Sequence, residues 1–329
     1  MVTEREGLYG PSMESVTAFA PATVSNVACG FDVLGFALHE PGDTVTAALS
    51  PSGGVTIAGI FGDDGRLPRD PSRNTAGVAA QALLDHVGDR RGVSLTIRKG
   101  LPLSSGLGGS AASAVAAAVA VNALVGARAS LETLMACAFE GERIGAGSAH
   151  GDNIGPAVYG GLVLVRVPNP PDVVRLPVPD GLTAVVVHPD LEIETAKARA
   201  LLGTHVPLAD AIREWANLGA FVDALHRSDF DLLSRSLEDT IAEPRRAPLV
   251  PGLAEIKRAA IDAGALGCSF SGSGPSLFAL CRSIADGERV ARAMTAAVVT
   301  HIGGAPPHTY VSPIAPHGAR IVTTDACSS

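Results

Sequence analysis

The feature that most constrains this chain is a glycine- and serine-rich segment, residues 102–113, which lies between a strand pattern and a helix pattern. Before it, Val93–Arg98 alternates apolar and polar residues, the period of a half-buried strand. After it, the alanine-rich run Ala111–Val125 indicates a buried helix. Glycine lets a backbone approach a bulky anion, and a helix N-terminus presents free N–H groups to it. The segment therefore predicts a phosphate-binding loop suited to a triphosphate.

Other interpretations of this loop are weaker. Its glycines also fit a dinucleotide-binding pattern, Gly106-x-Gly108-x-x-Ala111, but that fold needs an acidic residue at the end of the next strand. Here the next element is a second helix. A Walker A loop would need a lysine after the last glycine, and a ligand-free turn would not need serines at the helix start. The predicted nucleotide-binding residues are Pro102, Leu103, Ser104, Ser105, Gly106, Leu107, Gly108, Gly109, Ser110, Ala111, Ala112 and Ser113.

Composition narrows the class of protein. The net charge of −8 and only three lysines argue against nucleic-acid binding, because a phosphate backbone needs clustered basic residues. No apolar run reaches membrane-spanning length without polar interruption, and the first residues do not resemble a signal peptide. The five cysteines form no Cys-x-x-Cys pair. We therefore expect a cytoplasmic protein with reduced thiols.

A length of 329 residues suits two domains. The proline-rich segment 167–179 is a candidate boundary, so we predict a flexible extension over 1–14, an N-terminal domain over 15–170 and a C-terminal domain over 171–329. Helices alternate with strands in both halves, which indicates an α+β or α/β enzyme. In the C-terminal half we predict helices at 194–202, 208–225, 232–241, 252–263 and 286–299, and strands at 182–187, 267–271, 276–281 and, as the last strand, 309–314.

A second glycine cluster, Gly267–Pro275, lies between a helix pattern and a strand pattern. A tight turn would explain it equally well on its own. Two separated glycine loops in one chain, however, favour a cleft closed from both sides.

Glu142 lies on the apolar face of the predicted helix Leu131–Ile144. It follows Leu131 by eleven residues, which places it about 20° from that side chain at 100° per residue. A buried carboxylate is costly unless it is paired or binds a metal. Glu142 could reach solvent at the helix end or pair with Arg143; next to a polyphosphate loop, Mg²⁺ coordination is the favoured interpretation.

Three blocks, residues 20–35, 102–113 and 267–275, together resemble the three motifs of the GHMP small-molecule kinases. The resemblance spans nearly the whole chain after about Ser15. Within this superfamily the sequence is most similar to the homoserine kinase family. That similarity rests on Ser25–Asp32, His150–Asn153, Thr195-x-x-x-Arg199, and Glu243–Arg246 followed by Leu249–Gly252.

The resemblance implies an α+β, two-domain GHMP kinase fold, with an N-terminal α/β domain and a C-terminal ferredoxin-like domain, and a homodimer. It implies ATP and Mg²⁺, with the loop around the ATP phosphates, Ser110 and Glu142 on Mg²⁺, and Asn74 beside the nucleoside. The residues that would surround homoserine are Asn26, Asp32, His150, Asn153, Thr195, Arg199 and Arg246. The chemistry agrees, because a zwitterion needs arginine for its carboxylate and carboxylate or amide oxygens for its ammonium.

The resemblance also bears on the mechanism. Mevalonate kinase and galactokinase use an aspartate to activate the hydroxyl, and the position aligned to it is Asn153, which cannot accept a proton. We expect Asp152 to point elsewhere. Direct transfer without a carboxylate base follows, with Asn26, Glu142 and Asn153 as catalytic residues, since positioning and charge neutralisation dominate phosphoryl transfer.

Two alternatives stay open: a GHMP kinase for another small alcohol, and a non-catalytic regulator of the same fold. Two positions depart from the family pattern, with Gly109 where serine is frequent and Cys29 where proline is usual.

Overall fold

The structure is a computed structural model that describes residues 13–145 and 151–326. Its larger sheet has the strand order β11-β1-β2-β4-β3, and a β5–β6 hairpin pairs with the start of β2. Only β3 and β4 are parallel among the described pairs. The strands of this sheet are β1 (Met13–Ser25), β2 (Leu34–Ser50), β3 (Val55–Phe61), β4 (Gly92–Arg98), β5 (Leu162–Pro168), β6 (Pro171–Leu176) and β11 (Arg320–Ala326).

Helices α1 (Thr75–Val87), α2 (Gly109–Leu124), α3 (Leu131–Gly145) and α4 (Gly151–Tyr159) accompany this sheet. Helix α2 packs on β1 and β2, while α1 and α3 pack on α2. It is apolar nearly all round and buried along most of its length, as its alanine-rich sequence predicts. The small side chains let the neighbouring elements approach closely, so α2 forms the centre of the N-terminal half.

The second sheet has the order β10-β7-β9-β8, and every neighbouring pair is antiparallel. Counted along the chain from β7, this is the order 4-1-3-2 of a ferredoxin-like sheet, which confirms the predicted C-terminal fold. Its strands are β7 (Thr183–His188), β8 (Gly267–Phe270), β9 (Leu277–Cys281) and β10 (His308–Pro313). The helices are α5 (Thr195–Ala200), α6 (Leu208–Arg227), α7 (Phe230–Ser236), α8 (Glu243–Arg246), α9 (Leu253–Asp262) and α10 (Ile284–His301).

The C-terminal sheet is buried on both faces. Ala184 and Val186 belong to the core that includes the N-terminal helices, whereas Val185 and Val187 belong to the core beneath α9 and α10. Phe36 meets Phe278 edge to face at 6.0 Å between ring centroids, which joins the two halves. This double burial explains why β7 is a continuous apolar run and not an alternating one.

Three predictions need correction. Strand β10 is not the last strand, because β11 returns to pair with β1. The helix predicted over 232–241 ends at Ser236. Beyond that residue, Asp239 accepts the backbone N–H groups of Ile241 and Ala242 in the turn that leads into α8. The sheets also divide differently from the predicted boundary at residue 170, because β6 pairs with β5 across it. We propose a boundary between Leu176 and Thr183, with β11 completing the N-terminal unit.

Among the described residues, no helix combines the length and apolarity needed to cross a bilayer.

Candidate active site

A cleft of about 640 Å³ lies against all three of the blocks singled out in the sequence. Both glycine loops contribute to it, so the expectation of one cleft between two loops is confirmed. Of the predicted site residues, those that line it are Asn26, Asp32, Asn74, Pro102, Leu103, Ser104, Ser105, Gly106, Gly108, Gly109, Ser110, Ser113, Glu142, Asn153, Thr195, Arg199 and Arg246. Leu107, Ala111 and Ala112 are buried behind the loop. His150 lies outside the described residues.

Two glycines of the phosphate loop occupy positions that accept no other residue type. Gly106 and Gly108 both have left-handed backbones, with φ of 77° and 67°. A Cβ on Gly106 would lie 2.4 Å from the carbonyl oxygen of Ser271, and one on Gly108 would lie 2.1 Å from Thr23 Oγ1. Gly108 is also the N-cap of α2 and makes no side-chain cap. The first N–H groups of α2 therefore remain available for an anion.

Hydrogen bonds join the loop to the other two blocks. Ser271 Oγ donates to the Gly106 carbonyl at 2.7 Å, and the Ser276 N–H donates to the Ser105 carbonyl at 3.3 Å. The Gly272 N–H in turn donates to the Ser25 carbonyl at 3.2 Å. Segments far apart in sequence are thus fixed to each other by three hydrogen bonds, two of which join backbone atoms alone.

The turn after β1 is strained and is held by Asn26. Asn26, Val27 and Ala28 all have positive φ, which is costly for residues with a Cβ, and most of all for β-branched Val27. Asn26 Oδ1 accepts the Asp32 N–H at 3.0 Å, and Asn26 Nδ2 donates to the Gly272 carbonyl at 2.8 Å. Both ends of this amide therefore stabilise the turn.

Two arginines that line the cleft, Arg199 and Arg246, lie over the ring of Phe31. The guanidinium carbons of Arg199 and Arg246 lie 5.3 and 5.4 Å from its ring centroid. Arg199 forms an ion pair with Asp32 at 2.5 Å, and both side chains are partly exposed. Arg246 is only 4% exposed and donates to the Gly272 carbonyl at 3.0 Å. Burial lowers the pKa of Arg246 from its usual value.

The remaining polar groups line the junction of the two sides. Thr195 Oγ1 lies 3.3 Å from Ser273 Oγ, and Asn153 Oδ1 accepts from Thr23 Oγ1 at 2.8 Å. The sequence suggested that Asp152 points away from the site, and the structure corrects this. Asp152 lines the cleft, is 1% exposed, and its Oδ2 accepts the Asn26 N–H at 3.3 Å, so it supports the strained turn.

Glu142 and Ser110 face the cleft from α3 and α2. Glu142 is 4% exposed, as its place on the apolar face predicts. A carboxylate and a hydroxyl are hard oxygen donors, which suits Mg²⁺ held jointly with phosphate oxygens. Asn74 lines the same end of the cleft and caps α1, with Oδ1 accepting the Ala76 N–H at 3.1 Å.

Comparison with known proteins assigns this architecture. The family model described as GHMP kinases N terminal domain matches residues 74–161, and the one described as GHMP kinases C terminal matches residues 221–300. A homoserine kinase of Chlorobaculum tepidum is 46% identical over 322 residues, which cover 95% of this chain and 99% of the relative. The chain belongs to the homoserine kinase family of the GHMP kinases.

Solved structures of GHMP kinases agree. The crystal structure of a homoserine kinase from Cytophaga hutchinsonii superposes with a TM-score of 0.92 at 46% identity and covers 96% of this chain and 100% of that one. L. major mevalonate kinase, in complex with R-mevalonate, shares the fold with a TM-score of 0.70 at 20% identity, covering 93% of this chain and 99% of that one.

The structure adds residues that the GHMP motifs did not single out. The Phe31 ring contacts both arginines, and Arg66 and Arg73 line the cleft together with Asn74. Beneath the loop, Lys99 and Asp43 form a buried ion pair. Lys99 could have been suspected because it directly follows the strand that leads into the loop. Asp43 carries no such signal, since it lies within a long strand.

Proposed function

We propose that this chain transfers the γ-phosphoryl group of ATP to the side-chain hydroxyl of L-homoserine, which yields O-phospho-L-homoserine and ADP. One observation carries the proposal: the uncapped N-terminus of α2 and a set of opposite charges, Asp32 with Arg199 and Arg246, line the same cleft. Membership of the homoserine kinase family supports the same acceptor. It disfavours another alcohol or a non-catalytic regulator.

The acceptor side suits an amino acid because its charges match a zwitterion. Arg246 is buried, so it can bind the substrate carboxylate where little water reaches. Arg199 is partly exposed and can bind the same carboxylate from the solvent side. Asp32 offers a carboxylate to the ammonium. When the substrate binds, Asp32 would exchange Arg199 for the substrate ammonium, and Arg199 would exchange Asp32 for the substrate carboxylate.

The nucleotide side is proposed to use the open first turn of α2 for the phosphates and Asn74 at the nucleoside end. Glu142 and Ser110 would hold Mg²⁺, which supplies charge neutralisation on the phosphates. Gly106 and Gly108 let the loop pack against Ser271 and Thr23, where any side chain would collide with those residues.

The proposed chemistry is direct transfer. The homoserine oxygen forms a bond to the γ-phosphorus as the bond from that phosphorus to the bridging oxygen of ADP breaks, and the hydroxyl proton leaves late, to a phosphate oxygen. The side chain of Asn153 is an amide, which cannot accept a proton, and the amide of Asn26 is hydrogen-bonded within the turn. Both residues are therefore proposed to position the substrate. Asp152 already accepts the Asn26 N–H, which favours a supporting role over that of a base.

Two measurements test this proposal. Purified, folded protein with MgATP should convert L-homoserine to O-phosphohomoserine, detected by mass spectrometry, and should leave mevalonate and galactose unchanged. Absence of product from protein with a folded circular dichroism spectrum overturns the assignment. Asp152→Asn should lower kcat without removing an acidic limb from the pH profile of kcat; loss of that limb would identify Asp152 as the base.

Two further expectations stay predictions. We propose a homodimer, which analytical ultracentrifugation would test, and a cytoplasmic location, which fractionation of the source cells would test.

A further inference from the structure

A buried ion pair lies directly beneath the phosphate loop. Asp43, in β2, is fully buried, and the Lys99 side chain is 3% exposed. Asp43 Oδ1 accepts the N–H groups of Gly100 and Leu101 at 3.0 and 3.3 Å. Its Oδ2 accepts from Lys99 Nζ and from Ser113 Oγ, the latter at 2.7 Å. All four bonds come from residues that enter or leave the loop.

Lys99 completes the network from the other direction. Besides Asp43, its ammonium donates to the Gly109 carbonyl at 2.7 Å and to Ser113 Oγ at 2.9 Å. The three hydrogens of the ammonium are therefore used, and none is left over for a phosphate. The Ser113 hydroxyl is likewise committed to Asp43 and Lys99.

The network joins the two ends of the loop across its base. Residues 99–101 lead into the loop from β4, and Gly109 and Ser113 are the first and fifth residues of α2, which follows it. The span between them, residues 102–108, is therefore closed by side-chain bonds as well as by the chain. Its glycines leave that span little intrinsic preference for one conformation.

A gain in folding stability does not explain why this ion pair is buried. Removing two charges from water is costly, and a well-packed apolar replacement of a buried ion pair is often neutral or stabilising. What an apolar replacement cannot provide is a fixed distance between the loop ends, set by six directed bonds. The pair has no net charge, so its effect on a bound phosphate is mainly geometrical.

We propose that Asp43 and Lys99 are positioning residues which hold the two ends of the phosphate loop at the spacing that aims the first N–H groups of α2 at the nucleotide. The inference rests on the proposed function only in taking ATP as the ligand of this loop. It predicts that loss of the network weakens nucleotide binding and leaves the acceptor side unchanged.

The test compares three variants. Asp43→Asn and Lys99→Met each leave one buried charge uncompensated, so both should lower Tm. The double variant removes both charges and should recover Tm to within about 3 °C of wild type. Its Kd for MgATP, from isothermal titration calorimetry, should stay raised by at least about ten-fold, since small misplacements cost this much or more. Its homoserine KM should stay within about two-fold of wild type.

A matched control removes a different ion pair, which is only partly buried. Lys257 pairs with Glu243 in the C-terminal half, with side chains 29% and 14% exposed. The double variant Lys257→Met with Glu243→Gln should bind MgATP as wild type does. A raised Kd there would mean that loss of any such pair disturbs the cleft, which contradicts a specific role for Asp43 and Lys99.

The decisive outcome is the nucleotide affinity of the folded double variant. Recovery of both Tm and affinity would make the network merely structural and would overturn the proposal. Should the double variant fail to fold, Lys99→Arg decides, because it keeps the charge but its planar fork cannot reproduce the three donor directions. Wild-type affinity in folded Lys99→Arg also overturns the proposal. Binding is measured without turnover, so this result is independent of whether homoserine is phosphorylated.

Discussion

The nucleotide side of the cleft is held by backbone hydrogen bonds and a buried charge network, whereas the acceptor side carries charges that are partly exposed. On the first side, residues 99–113, the loop is fixed through the carbonyls of Ser105 and Gly106 and by the buried network beneath it. On the second side, the turn after β1 with α5 and α8, the side chains of Arg199 and Asp32 are 42% and 32% exposed. The first side is thus hydrogen-bonded internally, whereas the second keeps charges that a ligand can reach.

This difference matches what each ligand offers. A polyphosphate is recognised by many weak, directed N–H groups, which act best when their positions are fixed beforehand. A zwitterion brings its own cation and anion, so an internal pair of the same kind can keep the site neutral until the substrate replaces it. The following predictions test whether the two sides can be disturbed separately.

The largest effect is expected for Glu142→Gln on the nucleotide side. The amide is nearly isosteric but cannot neutralise a divalent cation, so kcat/KM should fall by about 100-fold or more, and Mg²⁺ should no longer strengthen ATP binding in calorimetry. Glu140→Gln is the control, because Glu140 is on the same helix, 41% exposed, and paired with Arg143. Wild-type turnover of Glu142→Gln at limiting Mg²⁺ would exclude metal binding by Glu142.

On the acceptor side, Arg246→Leu should lower kcat/KM for homoserine by roughly 30-fold or more, because an unpaired buried carboxylate costs about 2–5 kcal/mol. ATP affinity should be nearly unchanged. The neighbouring Arg245 donates to the Ile241 carbonyl, so Arg245→Leu should remain close to wild type in both constants. A large defect in Arg245→Leu and none in Arg246→Leu would show that the assignment of this motif is wrong by one residue.

A smaller effect, on stability, is expected from Glu214 behind the acceptor side. Burial raises its pKa from 4.5 to about 7. The native protein therefore holds this proton in a pH range where the unfolded chain has lost it, and stability falls as pH rises from about 4.5 to about 7. Glu214→Gln, which needs no proton, should gain on the order of 2–3 kcal/mol relative to wild type at pH 8 and little at pH 4.5.

Urea unfolding at the two pH values measures this difference. Exposed Glu255→Gln is the control and should show the same shift at both. An equal gain for Glu214→Gln at both pH values would mean that its carboxyl does not titrate as described.

The smallest effect is expected for Gly109→Ala on the nucleotide side. A Cβ there would lie 3.4 Å from Lys99 Nζ and 3.6 Å from Leu101 Cβ, which is ordinary contact. The KM for ATP should stay within about two-fold of wild type, because nothing requires a glycine at this position. A loss comparable to that of Glu142→Gln would mean that the nucleotide occupies the space over Gly109.

The sequence predicted elements whose signal is local. Helix α3 was predicted over Leu131–Ile144 and spans Leu131–Gly145, and Glu142 is buried as the helical period required. The helix after the loop begins at Gly109, two residues before the alanine run, with Gly108 as its N-cap.

What the sequence could not predict depends on long-range pairing. Strand β11 has no signal that separates it from a terminal segment, and only its register with β1 makes it part of the first sheet. Asp43 is an acid within a strand until Lys99 and Ser113 are placed beside it by folding. Asp152 was misjudged because the direction of its side chain depends on Asn26, which is distant in sequence.

The return of β11 to the first sheet has a consequence for synthesis. While the nascent chain leaves the ribosome, β1 has β2 on one side but lacks its other neighbour until residues 320–326 have emerged. During that time β1 presents unpaired N–H and C=O groups, the template that invites pairing with another chain. Among the strands of this sheet, β1 is therefore the first to be translated and the last to gain both of its neighbours.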